Sequence, residues 1–133
     1  IAPQNYRETP GGMQFLNATT GEFHAVALAG DAEAVGWRIY ALGDVLDPDT
    51  YKLVGGTAFF RVDQDGPWHA PYLSGPADDP AMLFGPADAQ VTGGNYRIQG
   101  GRWQLRNVTT GQHHSFFLLG SNTDPTWAIG PGE

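Results

Sequence analysis

Tyr96-Arg97-Ile98-Gln99-Gly100-Gly101-Arg102-Trp103-Gln104-Leu105-Arg106-Asn107-Val108-Thr109-Thr110-Gly111 decides how this chain folds. Asn95 to Ile98 reads as a short strand, and Gln99-Gly100-Gly101 as a turn. Arg102 to Arg106 then alternates, with Trp103 and Leu105 on one face, the period-two pattern of a half-buried strand. Val108 to Gly111 is a hairpin loop, with glycine where a positive φ is needed. Further out, Gln112 to Leu119 is the return strand and Gly120 to Pro125 a polar loop. Thr126 to Ile129 is a last strand, which Gly130-Pro131 ends. The last third of the chain is thus four short strands.

The same pattern occurs twice upstream, at gapless offsets of 45 and 90 residues. Six columns hold one residue in every copy. They are Tyr6/Tyr51/Tyr96, Gly11/Gly56/Gly101, Gly21/Gly66/Gly111, His24/His69/His114, Leu28/Leu73/Leu118 and Gly30/Gly75/Gly120. Self-similarity at a fixed period indicates architecture before any single residue is interpreted. The copies run 1–45, 46–90 and 91–133, and their strands predict an all-β single domain over 1–133. The best helix candidate is one turn over 30–35. Pro76, Pro80 and Pro125 in the corresponding segments argue for a loop there.

Composition agrees. The 133 residues include 19 glycines and 10 prolines, a punctuated composition suited to short strands and turns. Without cysteine, no disulfide can staple a 45-residue piece, so the copies are expected to share one core. A net charge of −7 disfavours nucleic acid and anionic bilayers as partners. No apolar run is long enough to span a membrane as a helix. The chain begins at Ile1, as a trimmed or mature product would.

Repeat number, repeat length and strand number together resemble the β-trefoil. A three-sided β-prism is the alternative. The Gln-x-Trp signature of one trefoil lectin family is missing, since Arg102-Trp103-Gln104 does not match it.

The repeated histidines are the sharpest functional candidates. His24, His69 and His114 lie four residues before Leu28, Leu73 and Leu118, hence on the same strand face, the core side. A histidine there is expected to pack its ring and bond a backbone carbonyl. The alternative is convergence of three imidazoles on a three-fold axis to hold zinc or nickel. No acidic residue is repeated beside them to orient such ligands, so no metal or cofactor is expected. Tyr6, Tyr51 and Tyr96 read as core rings with hydroxyls at the rim, or else as sugar-stacking platforms. Phe23, Trp68 and His113 share one variable column. Trp68 and Tyr72, within Pro67-Trp68-His69-Ala70-Pro71-Tyr72, form the most ligand-like patch.

Asp31, Glu33, Asp78, Asp79 and Asp124 collect in one loop type without a calcium-loop pattern, and read as solvated charge. Asn17-Ala18-Thr19 and Asn107-Val108-Thr109 match the glycosylation sequon, but Asn and Thr equally suit a tight turn. No nucleophile, general base and acid fall into a recognisable set, so an enzyme is not expected.

The unit from Tyr96 to His114, closing on Ala128-Ile129-Gly130-Pro131-Gly132-Glu133, resembles short repeat units of uncharacterised bacterial and phage-borne proteins. Copy two departs from it at Val62-Asp63-Gln64-Asp65 and at Phe59. The resemblance implies a virion accessory role, such as capsid decoration or a fibre component, and a virion or extracellular location. It carries over no catalytic or ligand residue. The expected function is a non-enzymatic assembly module whose partner is a protein lattice. A carbohydrate-binding module with a glycan partner is the alternative.

Overall fold

The computed structural model of the chain describes residues 4–9, 12–31, 34–44, 49–88 and 94–133, all strand, turn or irregular backbone. Gly11, Ala32, Glu33 and both boundaries between copies lie outside the described residues. The protein is all-β. Its strands are β1 (Tyr6–Thr9), β2 (Gly12–Leu16), β3 (Phe23–Asp31), β4 (Ala34–Ile39), β5 (Tyr51–Val54) and β6 (Thr57–Phe60). They continue with β7 (Pro71–Ser74), β8 (Ala81–Phe84), β9 (Tyr96–Gln99), β10 (Arg102–Arg106), β11 (His113–Gly120) and β12 (Pro125–Gly132). The region considered for a helical turn is strand on both sides, since β3 runs through Asp31 and β4 opens at Ala34.

All the sheets are antiparallel meanders. β1-β2-β3-β4 and β9-β10-β11-β12 form two four-stranded sheets, while β5-β6 and β7-β8 form two-stranded ones. None closes on itself as a barrel. Register recurs with the sequence. Tyr6 faces Phe15, Tyr51 faces Phe60 and Tyr96 faces Leu105. Leu28, Leu73 and Leu118 face Trp37, Met82 and Trp127.

Alternation along each strand sends one face inward, and the inward residues form one cluster drawn from all three 45-residue segments. Phe15 and Phe116 meet at 4.7 Å between ring centroids, Trp37 and Trp127 at 5.2 Å, and Phe60 and Trp103 at 6.2 Å. Trp103 occupies the column that holds Ala58 in copy two and Met13 in copy one, so one large ring fills space that the smaller residues leave. Gly30, Gly75 and Gly120 adopt φ between 101° and 108° at the β3–β4, β7–β8 and β11–β12 turns. That positive φ favours glycine in every copy, and a Cβ at Gly30 would in addition fall 2.5 Å from the Ala34 carbonyl oxygen.

Between segments, hydrogen bonds replace continuous ladders. Ala18 N–H donates to the Leu118 carbonyl (2.8 Å), Val108 N–H to the Leu73 carbonyl (2.8 Å), and Leu28 N–H to the Arg61 carbonyl (3.3 Å). Buried asparagines reinforce two of these seams. Asn5 Oδ1 accepts from Trp103 N–H, while Asn5 Nδ2 donates to the Trp103 and Phe116 carbonyls. Asn95 repeats the arrangement with Ala58 N–H and the Ala58 and Pro71 carbonyls. Thr50, the buried residue of that column in copy two, contributes only its backbone carbonyl, to Arg61 N–H (3.1 Å).

Asn5→Ala therefore strands one buried backbone donor and removes a partner from two buried carbonyls. Each such loss costs about 1–3 kcal/mol, so a total of at least about 3 kcal/mol is expected in urea unfolding. An effect below about 1 kcal/mol, the ordinary level for a surface change, would show that the seam does not depend on this side chain.

Candidate functional site

The three repeated histidines are fully buried, and each makes the same bond. Nδ1 donates to the backbone carbonyl sixteen residues on: His24 to Tyr40 (2.8 Å), His69 to Gly85 (2.9 Å) and His114 to Gly130 (2.9 Å). A carbonyl can only accept, so Nδ1 carries the proton and Nε2 is left as the acceptor. In copies one and three that acceptor faces an asparagine, Asn17 Nδ2 at 3.3 Å from His24 and Asn107 Nδ2 at 3.5 Å from His114. In copy two the column holds Val62, and the buried His69 Nε2 has no hydrogen-bond partner among the described residues. Among the described residues, no group of three or more His, Cys, Asp or Glu side chains is placed to hold a metal ion.

Both sequon asparagines are wholly buried and committed to the fold. Asn17 Oδ1 accepts from Thr19 N–H (2.9 Å), and its Nδ2 donates to the Gly120 carbonyl (3.1 Å). Asn107 does the same with Thr109 N–H (2.9 Å) and the Gly75 carbonyl (3.0 Å). Thr19 and Thr109 hydroxyls accept from the Gly120 and Gly75 N–H groups. Each Asn-x-Thr is a tight turn that also clamps the glycine of a neighbouring segment.

In the column of Phe23, Trp68 and His113, the first two rings lie under cations. The Arg7 guanidinium sits 4.6 Å from the Phe23 ring centre. Lys52 Nζ and the Arg61 guanidinium sit 4.5 and 4.0 Å from the Trp68 ring. Trp68 is therefore already engaged as a cation partner. Burial, then the charges of Arg97 and Arg106, hold the His113 imidazole below its ordinary value. Arg7 and Arg97 also donate to Gln14 and Gln104, whereas Lys52 meets Phe59, 5.4 Å away, in the same column. The Arg7/Lys52/Arg97 and Gln14/Phe59/Gln104 columns thus change together in copy two, while the third column differs in every copy.

Tyr51 is buried, and Tyr6 and Tyr96 are half-buried. Burial, followed by the Glu8 carboxylate, raises the Tyr6 and Tyr51 phenols. Each also feels the Tyr96 hydroxyl, so the three phenols lie near one another at one end of the molecule. Asp31, Asp78, Asp79 and Asp124 are exposed, and Glu33 lies outside the described residues. Among the ligand candidates, Tyr72 lines a sizeable cleft. This opening of about 1020 Å³ lies between β4 and the β7–β8 hairpin, and His69, Trp37, Met82 and Phe84 are in its wall.

The structure thus separates the aromatic candidates. Phe23, Trp68 and His113 sit on the cation-covered face, whereas Tyr72 lines the cleft. Comparison with models of known protein families, with curated proteins and with solved structures returned no match.

A depressed folded-state value for His113 adds stability that is full above its ordinary value of 6.5 and is lost as pH falls through the lower folded value. His113→Phe, which installs the copy-one residue, should flatten the acid side of the stability–pH curve. Urea midpoints between pH 7 and pH 4.5 check this, and an unchanged slope would exclude His113 as the source.

Proposed function

We propose that the three copies form a β-trefoil-like, pseudo-three-fold body, and that this body is a non-enzymatic assembly module. The observation that carries the three-fold part is that every one of these seam bonds uses the repeated leucine column. Copy one donates to copy three, copy three to copy two, and copy two accepts from copy one, through Ala18–Leu118, Val108–Leu73 and Arg61–Leu28. Each copy thus meets both others at its leucine column: the one-to-three and three-to-two seams are equivalent, whereas in the third Leu28 donates to Arg61 in place of accepting. Backbone bonds from edge to edge favour trefoil-like closure over a prism, whose flat sheets meet through side chains.

A body of this kind presents similar surfaces three times over. Arg7 over Phe23 and Lys52 over Trp68 are two, and Arg97 beside His113 occupies the third equivalent position. Repeated surfaces suit a partner with three-fold or quasi-three-fold symmetry, such as a viral capsid lattice. In this reading the protein decorates a virion. The histidines, asparagines and threonines that invite a catalytic or metal reading serve instead as internal hydrogen-bond partners. The carbohydrate-binding alternative keeps one supporting observation, the position of Tyr72 in the cleft between copies one and two.

Cryo-electron microscopy of particles from the source material tests the proposal. Density for this chain on the lattice three-fold positions is expected, along with co-sedimentation in near-stoichiometric amount. A protein found only in the particle-free supernatant would refute the lattice role. An experimental structure in which the copies fail to superpose after a one-third turn would refute the three-fold body.

A further inference from the structure

We infer that the cleft between β4 and the β7–β8 hairpin is a binding site for a neutral, hydroxyl-bearing ligand with an apolar face, of the pyranose class. The starting point is the break in the histidine pattern. His24 and His114 have Nε2 facing Asn17 and Asn107, but Val62 leaves His69 Nε2 buried and unpartnered. His69 is itself only 1% exposed, and it lines this cleft. Its Nδ1 proton is committed to the Gly85 carbonyl, so Nε2 offers a lone pair and calls for a donor. An unsatisfied buried acceptor calls for a partner, and because Nε2 is closed to water here a ligand donor reaches it only as the cleft wall gives way.

The surroundings define that partner. The described residues of the cleft wall carry no charged side chain, which disfavours an ionic ligand. Trp37, Tyr72, Met82 and Phe84 supply apolar and aromatic surface. A molecule that combines a hydroxyl donor with a C–H face matches both features. The equivalent cleft one copy further on, beside Ile129 and Gly130, is smaller, about 430 Å³. The histidine bonded there, His114 to the Gly130 carbonyl, has its asparagine. Space and the missing hydrogen bond thus coincide in one copy. Trp37 Nε1 is also unpartnered, but so is Trp127 Nε1 in the corresponding column, so the tryptophan is assigned to the wall and not to the polar contact. The assignment is independent of the lattice role.

Val62→Asn is the decisive variant, because it gives His69 the neighbour that His24 and His114 already have. Glucose, galactose, mannose and N-acetylglucosamine are titrated separately, with glycerol as a polyol that lacks a ring face. Histidine-ring nitrogen NMR reads the result. At least one pyranose should move the His69 Nε2 resonance while leaving His24 and His114 in place, and glycerol should not. Val62→Asn should weaken that binding about tenfold or more, the equivalent of one hydrogen bond, while cooperative unfolding is retained. Tyr72→Ala, which removes wall surface without touching the histidine, should weaken it as well and serves if Val62→Asn does not fold. The inference is overturned if no pyranose moves His69 at up to about 100 mM, two orders above a millimolar affinity, which would mean that water alone satisfies Nε2. It is equally overturned if neither variant weakens binding, or if the shifts centre on Trp68.

Discussion

Everything in this fold depends on satisfying the backbone groups that three short-stranded segments leave open where they meet. Strands of four to nine residues close their own hairpins but not the seams between segments. Asn5 and Asn95 fill that role by acting as portable peptide groups, each offering a carbonyl oxygen and an amide to backbone 24 to 111 residues away. Asn17 and Asn107 do so again, holding a turn with one end and a neighbouring segment's glycine carbonyl with the other. An amide side chain suits such a position because it both donates and accepts without carrying charge into a core.

Much of the architecture was legible in the sequence. Alternation in Arg102 to Arg106 places Trp103 and Leu105 inward, and both are fully buried. The leucine and histidine columns mark the core face, and all six residues are buried. These features depend on neighbours within one strand, which a period-two pattern records directly. The strand ends were less legible. β12 runs from Pro125 to Gly132, past the Gly130-Pro131 stop that the sequence suggests. The pairing of His113 and Glu133 backbone groups extends that edge.

The candidate site was less legible for a specific reason. Each repeated histidine bonds a backbone carbonyl, at Tyr40, Gly85 or Gly130, so the partner column shows no common side chain. Asn17 and Asn107 stand out in the sequence only as sequons, because their second role needs a glycine about 30 to 100 residues away. The change to Val62 is visible, but its effect on His69 is not until Asn17 is seen against His24. Trp68 stood out by type and exposure. That Lys52 and Arg61 already occupy its ring follows only from strand pairing.

The seam bonds also bear on size. Asn5 finds its acceptors on Trp103 and Phe116, and Ala18 finds its own on Leu118, so the opening third of the chain is completed by the closing third. A ribosome therefore releases most of this polypeptide before its first hairpins can be fully satisfied. Folding is tied to arrival of the last segment, and a product cut short there retains open valences that a second molecule could fill.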